Sequence, residues 1–85
     1  MSGALQGRTA VVTGANQGLG LAIARAFVLA GANLLLCARD QAKLAEACRG
    51  LRGLAEKGQR IESIRADVSN RDDVARLAAA AVETF

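Results

Sequence analysis

Three glycines, Gly14, Gly18 and Gly20, have a spacing that could form a ligand-binding turn. They lie in the stretch T-G-A-N-Q-G-L-G of residues 13–20. This G-x-x-x-G-x-G spacing predicts a turn from a strand into a helix. In such a turn Gly14 leaves the strand sharply, Gly18 leaves room for a diphosphate, and Gly20 lets the helix approach the sheet. The helix N-terminus would offer free N–H groups and a partial positive charge to phosphates. A tight turn without a ligand is the alternative, and a Gly-Lys-Ser/Thr phosphate loop is excluded because that motif does not follow.

Several other chemistries are excluded by composition. The 85 residues contain no His and no Tyr, so the chain supplies no Ser-His triad, no His-ligated metal and no tyrosine acid. Cys37 and Cys48 are too few for a cysteine zinc site, which needs about four ligands. Because both lie in apolar stretches, we expect buried, unreactive thiols, and the absence of a disulfide framework favours a reducing cytoplasm.

Charge and hydropathy argue against nucleic acid and membrane partners. The net charge is +3, but acidic residues are interleaved with basic ones and no aromatic residues lie among them to stack on bases. We interpret the charges as a solvated, mildly basic surface. The longest apolar runs fall far short of the ~20 residues that a membrane span needs, and the N-terminus lacks a secretory signal pattern.

The elements that must position the glycine turn alternate along the chain as β-α-β-α-β-α. Short apolar stretches predict strands at 8–13, 33–38 and 60–67. The first helix is predicted over residues 19–30. The second is predicted to begin after an N-cap at Asp40 and to end near Gly58, with a weak second half. The third is predicted from about Asn70 onward, because Ser69 and Asp72 have the spacing of a capping box. The predicted apolar faces of the three helices are, in order, Leu19, Ile23, Phe27 and Ala30; Leu44, Cys48, Leu51 and Ala55; and Val74, Leu77, Ala78, Ala81 and Phe85.

Parallel strands joined by right-handed crossovers are the arrangement that this alternation favours. In a doubly wound sheet the strands would have the order 3-2-1, which leaves the first strand at an open edge. That strand nevertheless has the apolar sequence of an interior strand. We therefore expect the chain to lack the other half of its sheet.

Three segments together resemble the short-chain dehydrogenase/reductase family, whose signature is T-G-x-x-x-G-x-G. They are T-G-A-N-Q-G-L-G after V-V-T, A-R-D at 38–40, which closes the second strand, and A-D-V-S at 66–69, which closes the third. The resemblance covers essentially the whole chain. It implies an α/β fold, a partial Rossmann-type doubly wound parallel sheet (βαβαβα, strand order 3-2-1) whose C-terminal half is missing. Residues 1–85 would be the N-terminal half of a dinucleotide-binding domain.

The resemblance also implies a role for each residue of the site. The three glycines would line the diphosphate, and the Leu19 amide would contact a phosphate. Asp67 would accept a hydrogen bond from the adenine amino group, although a solvated residue that helps the turn is the alternative. The implied cofactor-binding residues are Gly14, Asn16, Gln17, Gly18, Leu19, Gly20, Arg39, Asp67 and Val68, with Asn16 and Gln17 on the adenosine side and Val68 beside the ring.

The choice of nicotinamide cofactor depends on the end of the second strand. An acidic residue there would select NAD through the ribose 2′-OH, but the position holds Ala38. Arg39 comes next, and its planar guanidinium can pair with a 2′-phosphate. We therefore predict NADP(H) rather than NAD(H). The competing interpretations are that Asp40 is the ribose acceptor, although its spacing fits helix capping better, and that Arg39 is a plain surface residue.

The resemblance implies an oxidoreductase that transfers a hydride between the nicotinamide and a carbonyl or alcohol substrate, such as a 3-oxoacyl thioester. The family's catalytic Ser and Tyr-x-x-x-Lys have no counterpart here, so we predict no catalytic residue and no hydride transfer by the chain alone. The complete protein would be a cytoplasmic homo-oligomer. The alternatives are a short module that binds a dinucleotide without catalysis, or a fragment that pairs through its open sheet edge.

Overall fold

Six elements follow one another in the computed structural model, which describes residues 4–84. In chain order they are β1 (Thr9–Thr13), α1 (Gly18–Leu29), β2 (Asn33–Ala38), α2 (Gln41–Arg52), β3 (Ile61–Arg65) and α3 (Arg71–Thr84). The strands form one parallel sheet in the order β1-β2-β3, in which Thr9 pairs with Asn33 and Leu34 with Ile61. The predicted alternation, parallel pairing and strand order are confirmed.

The central strand, β2, separates two apolar layers. Its sequence N-L-L-L-C-A is buried from Leu34 to Ala38 because both faces of a central parallel strand are covered. Successive side chains point to opposite faces, so Leu34 and Leu36 join one apolar cluster while Leu35 and Cys37 join the other. The first cluster includes residues of α1 and α2, and the second includes Leu77 of α3. The sheet is therefore covered on both faces.

The apolar face predicted for α2 is confirmed. Leu44, Cys48 and Leu51 recur at helical spacing and are all buried in the cluster shared with α1. Ala55 packs against the same cluster from beyond the end of the helix. The Cys48 thiol donates to the carbonyl oxygen of Ile61 at 3.7 Å, which ties this face of α2 to β3.

The buried face of α1 differs from the predicted one. Leu19 is 77% exposed and Ile23 is 39% exposed, whereas Ala24 and Val28 are buried. The helix is apolar around most of its circumference, so periodicity alone does not choose a face. The choice is made at Gly20, whose lack of a side chain brings that side of the helix against the end of β1. The predicted face was therefore wrong at Leu19 and Ile23.

The predicted face of α3 is also partly wrong. Leu77 is buried and Ala81 packs beside it, but Val74 and Ala78 are exposed. The helix is anchored to the sheet mainly by small alanine side chains, which leave more than one rotation possible. The predicted contact of Phe85 lies outside the described residues.

The helix α2 ends at Arg52, six residues before the predicted end near Gly58. Gly50 and Gly53 weaken its last turn, since glycine costs about 1 kcal/mol relative to alanine inside a helix. Side-chain contacts with β3, with α1 and with the loop after α1 then stabilise the non-helical path of the chain beyond Arg52. The Arg52 side chain donates from Nε to the Ile61 carbonyl oxygen (2.8 Å), and the Gln59 amide donates to the carbonyl oxygens of Val28 (3.0 Å) and Ala32 (2.7 Å).

One edge of the sheet is open in the described part of the chain. β1 pairs with β2 alone, so the main-chain groups on its other side have no partner strand among residues 4–84. Val11 in the middle of β1 is 46% exposed although valine is typical of covered strands. The open-edge position that the strand order predicted for β1 is confirmed.

Candidate functional site

A cleft of about 370 Å³ lies where the carboxyl ends of the three strands meet. Residues that follow each strand contribute to it, which is the usual position of ligands in open α/β sheets. Six of the nine predicted site residues line this cleft, and they come from three separate parts of the sequence. They are Gly14, Asn16, Gln17, Arg39, Asp67 and Val68.

The glycine turn has the geometry that its spacing predicts. Gly14 (φ +62°) and Gly18 (φ +58°) both adopt left-handed backbone conformations, which side chains rarely tolerate. A Cβ atom at either position would meet nothing within 4 Å, so space is open beside the main chain there. At Gly20 the opposite holds, because a Cβ would overlap the carbonyl of Gly14. The turn thus combines open space at two glycines with close packing at the third.

The first turn of α1 begins immediately beside the cleft. Gly18, Leu19 and Gly20 form this turn but do not line the cleft itself. Gln17 is the N-cap residue, yet its side chain makes no capping hydrogen bond, and no acidic residue lies in the first turn. By contrast, Asp40 caps α2 and Asn70 caps α3. Among residues 4–84, no side chain therefore accepts a hydrogen bond from the N-terminal N–H groups of α1, as an anion-binding turn requires.

Asp40 acts as a helix cap. Its Oδ1 accepts a hydrogen bond of 3.0 Å from the main-chain N–H of Lys43 at the start of α2. This contact favours the capping interpretation of Asp40 over the interpretation in which it binds a ribose. Arg39 precedes it, and Arg39 and Lys43 both line the cleft.

Replacing Asp40 with alanine should lower the free energy of unfolding by about 1 kcal/mol, the usual cost of a lost N-cap. Urea denaturation measures the change. Asp40→Asn retains the capping oxygen and should lower the free energy of unfolding by only a few tenths of the loss caused by Asp40→Ala. Equal losses for the two variants would show that the charge of Asp40, and not its hydrogen bond, stabilises α2.

The turn after β3 holds the Asp67 side chain in a fixed conformation. Its Oδ1 accepts from the main-chain N–H (2.9 Å) and the hydroxyl (2.6 Å) of Ser69. These hydrogen bonds, above all that of the Ser69 side chain, lower the pKa of Asp67 below its usual value. The carboxylate is thus ionised at neutral pH. Among residues 4–84, its Oδ2 accepts no hydrogen bond and is available to another donor.

The N-cap of α3 lies one residue later than predicted. Asn70, and not Ser69, accepts from the main-chain N–H three residues on, at Asp73 (3.0 Å). The Ser69 hydroxyl donates to Asp67 instead, so it takes part in the turn and not in the cap. The predicted capping box of Ser69 and Asp72 was therefore wrong.

Both thiols are buried, as predicted from their apolar neighbours. Cys37 is among the residues that line the cleft, and it donates from Sγ to the carbonyl oxygen of Ala66 at 3.5 Å. Burial raises the pKa of the Cys37 thiol, with a further contribution from the charge of Asp73. The group therefore stays protonated at neutral pH and offers the cleft no thiolate nucleophile.

Lys43 is the cleft residue that the sequence analysis missed. Its position three residues after the Asp40 cap could have indicated it, because that spacing places it in the first turn of α2 beside Arg39. Lys43 and Asn16 also line a larger groove of about 610 Å³ between α1 and α2. We place the site in the smaller cleft, because only there do residues from all three strand ends meet.

The described part of the chain shows neither a metal-ligand cluster nor a helix that could cross a membrane. Residues 4–84 contain no cluster of three or more His, Cys, Asp or Glu side chains that could hold a metal ion. No helix within the same range has the length and apolarity that crossing a bilayer would require.

Comparison with known sequences identifies the family. A family model described as short chain dehydrogenase matches residues 8–85. The chain is 41% identical over 81 residues to 3beta-hydroxysteroid dehydrogenase 2 of Eggerthella lenta, covering 95% of this chain and 30% of that protein. It is 39% identical over 79 residues to L-fucose dehydrogenase of Oryctolagus cuniculus, covering 93% of this chain and 25% of that protein. The chain thus spans less than a third of the length of these relatives.

Solved structures agree with the sequence comparison. A short chain dehydrogenase/reductase from Burkholderia phymatum in complex with NAD has a TM-score of 0.86 and 38% identity, over 95% of this chain and 28% of that one. L-sorbose reductase from Gluconobacter frateurii, complexed with NADPH and L-sorbose, has a TM-score of 0.91 and 34% identity. This match covers 100% of this chain and 32% of that one. The sheet order, the glycine turn and these matches show that the chain belongs to the short-chain dehydrogenase/reductase family and has the Rossmann-type fold of its N-terminal part.

Proposed function

We propose that this chain is the cofactor-binding part of an NADP(H)-dependent short-chain oxidoreductase. The complete protein would transfer a hydride between the nicotinamide and a carbonyl or alcohol carbon. Relatives of similar structure are complexed with NAD or with NADPH, which supports a nicotinamide dinucleotide here. The observation that carries the proposal is the cleft at the strand ends, with an uncapped helix N-terminus and two left-handed glycines at its border.

Each part of the dinucleotide would contact a different part of the cleft. Gly14, Gly18 and Gly20, with the Leu19 amide, would hold the diphosphate at the N-terminus of α1. Asn16 and Gln17 would lie on the adenosine side. Asp67 would accept from the adenine amino group while Val68 packs beside the ring. These assignments fit the geometry, because Asp67 is ionised and its Oδ2 has no partner among residues 4–84.

The preference for NADP(H) depends on the charges after β2. Ala38 provides no carboxylate to repel a 2′-phosphate, and the Asp40 carboxylate is engaged in capping α2. Arg39 and Lys43 contribute two cationic residues to the lining of the cleft. An arginine fork pairs with phosphate oxygens through charge-assisted hydrogen bonds, and a nearby lysine adds a second positive charge. Both groups would act on the additional phosphate of NADP(H).

The remaining chemistry would come from elsewhere in the complete protein. The family's catalytic Ser and Tyr-x-x-x-Lys have no counterpart in this sequence. We propose that residues 1–85 are the N-terminal half of a larger dinucleotide-binding domain, since the open edge of β1 and the exposed Val11 fit a sheet that continues. The 3-oxoacyl-thioester substrate, the homo-oligomeric state and the cytoplasmic location stay predictions.

Replacing Arg39 with alanine tests the cofactor assignment. We expect the dissociation constant for NADPH to rise about 30-fold, as loss of charge-assisted hydrogen bonds predicts, while that for NADH changes less than about twofold. Fluorescence titration of the reduced cofactors measures both constants. The natural protein that carries this sequence is used throughout.

Arg49→Ala is the matched control, because Arg49 is an exposed arginine in the last turn of α2 and does not line the cleft. It should leave both constants unchanged. Similar losses for NADPH and NADH in Arg39→Ala would overturn the NADP(H) assignment. If the unmodified protein bound neither cofactor, the proposed function itself would be wrong.

A further inference from the structure

We infer that Asp73 is a positioning residue for the adenine site, because it fixes the main chain of Asp67 from the first turn of α3. The inference rests on the proposed function, in which Asp67 recognises the adenine amino group. Asp73 does not line the cleft and would not contact the cofactor. It would act only through the turn that carries Asp67.

The contacts of Asp73 connect the start of α3 to the end of β3. Its Oδ2 accepts from the main-chain N–H of Asp67 at 2.9 Å, and its Oδ1 accepts from Nη2 of Arg76 at 2.7 Å. Its own main-chain N–H donates to Oδ1 of Asn70 at 3.0 Å. Three hydrogen bonds therefore hold one aspartate in place, and one of them reaches directly to the proposed adenine-binding residue.

The surroundings of Asp73 strengthen this contact. Its side chain is only 18% exposed, so water competes less for its oxygens than on an open surface. The hydrogen bond from the Asp67 N–H, followed by that from Arg76, lowers the pKa of Asp73 below its usual value. Arg76 also donates to the Arg65 carbonyl oxygen at 3.4 Å. The carboxylate thus stays ionised at neutral pH and is held by one partner in the turn after β3 and one on α3.

Asp73 and Ser69 fix two different parts of Asp67, its main chain and its side chain. Asp73 holds the Asp67 N–H, while Ser69 holds Oδ1 of the Asp67 carboxylate. With both fixed, the position of Oδ2 is set before a ligand arrives, which reduces the ordering cost of binding. Removing Asp73 would free the main chain of the turn, and the Asp67 carboxylate would lose its fixed direction.

The ratio of the dissociation constants of two cofactors, measured in the unmodified protein and in a variant of Asp73, tests this role. The probes are NADPH and its hypoxanthine analogue, in which a carbonyl oxygen replaces the adenine amino group that Asp67 would accept from. The unmodified protein should bind NADPH more tightly than the analogue. In Asp73→Ala, we expect this preference to fall about fivefold, the effect of one weakened hydrogen bond. Fluorescence titration of both reduced compounds measures the ratio.

Two further variants make the result specific. Asp73→Asn retains an oxygen that can accept from the Asp67 N–H, so it should keep most of the preference and also covers the case in which the alanine variant does not fold. Asp72→Ala removes an exposed neighbouring acid that makes no side-chain hydrogen bond in the described structure, and it should leave the ratio unchanged.

The outcomes separate the inference from the proposed function. A loss of affinity for both compounds by the same factor would assign Asp73 a purely structural role and overturn the inference. An unchanged ratio in folded Asp73→Ala would do the same. Failure of the unmodified protein to bind NADPH would instead contradict the proposed function. Equal binding of NADPH and the analogue by the unmodified protein would remove the role of Asp67, and with it the inference.

Discussion

Replacing Gly20 with alanine should lower the free energy of unfolding by at least about 3 kcal/mol, the upper range for inserting a methyl group into a packed site. The added Cβ would overlap the Gly14 carbonyl and lie 3.2 Å from the carbonyl oxygen of Thr13. Both neighbours are main-chain atoms at the end of β1, so neither can rotate away. We expect α1 to be displaced from the sheet, and urea denaturation followed by circular dichroism measures the loss.

Gly50→Ala provides the matched control for a glycine inside a helix. A Cβ at Gly50 meets nothing within 4 Å, so the substitution should raise the free energy of unfolding by about 0.5–1 kcal/mol through helix propensity. The two glycine-to-alanine changes should therefore have opposite signs. A stabilising effect at Gly20 would show that the close contact with β1 is absent in solution.

Replacing Gly18 with alanine should weaken NADPH binding at least about 100-fold, equivalent to nearly 3 kcal/mol of binding free energy. The methyl group would occupy the open space through which we expect the diphosphate to approach the main chain. The left-handed conformation of Gly18 also adds a strain of about 1–2 kcal/mol to any side chain there. Titration with NADPH measures the affinity, and urea denaturation measures the strain separately.

Gly58→Ala isolates the effect of strain. Gly58 also has a left-handed conformation (φ +96°) and open space beside it, but it lies in the loop before β3 and away from the cleft. We expect it to lose a similar amount of stability and to retain its NADPH affinity. If both variants lost affinity alike, destabilisation and not occlusion of the diphosphate position would explain the result.

The parts of the fold that the sequence predicted well are those in which local pattern and tertiary environment favour the same structure. The apolar stretch of β2 is too short for a helix and is bounded by Asn33 and Arg39, so its limits follow directly. The glycine turn was predictable because left-handed backbone at Gly14 and Gly18 permits few other residues. The buried face of α2 was predictable because polar residues occupy its other sides.

The errors occur where local pattern permits several structures. α1 is apolar nearly all round, so its orientation depends on a contact between Gly20 and Gly14 that no periodicity encodes. The end of α2 depends on Arg52 and Gln59 side chains that bond to distant carbonyl oxygens. The N-cap of α3 is Asn70 and not the predicted Ser69, because the Ser69 hydroxyl donates a hydrogen bond to Asp67 instead.

The candidate site shows the same division between local and distant information. Residues adjacent to the ends of strands, such as Arg39 and Asp67, could be found from their position along the chain. Asp73 could not be singled out so readily, because it lies within a helix among other charged residues, and Lys43 was indicated only by its spacing from the Asp40 cap. Their relevance depends on which way the first helical turn faces, and this is set by tertiary contacts with the sheet.

The spatial order of the strands is the same as their order in the sequence, and this has a consequence for synthesis on the ribosome. Thr9 pairs with Asn33 and Leu34 with Ile61, so β1 has already emerged when β2 leaves the exit tunnel, and β2 has already emerged when β3 does. Such short sequence separations favour rapid pairing. The outer side of β1 gains no partner from these steps, so the growing polypeptide keeps one unpaired strand edge that is open to association with other chains.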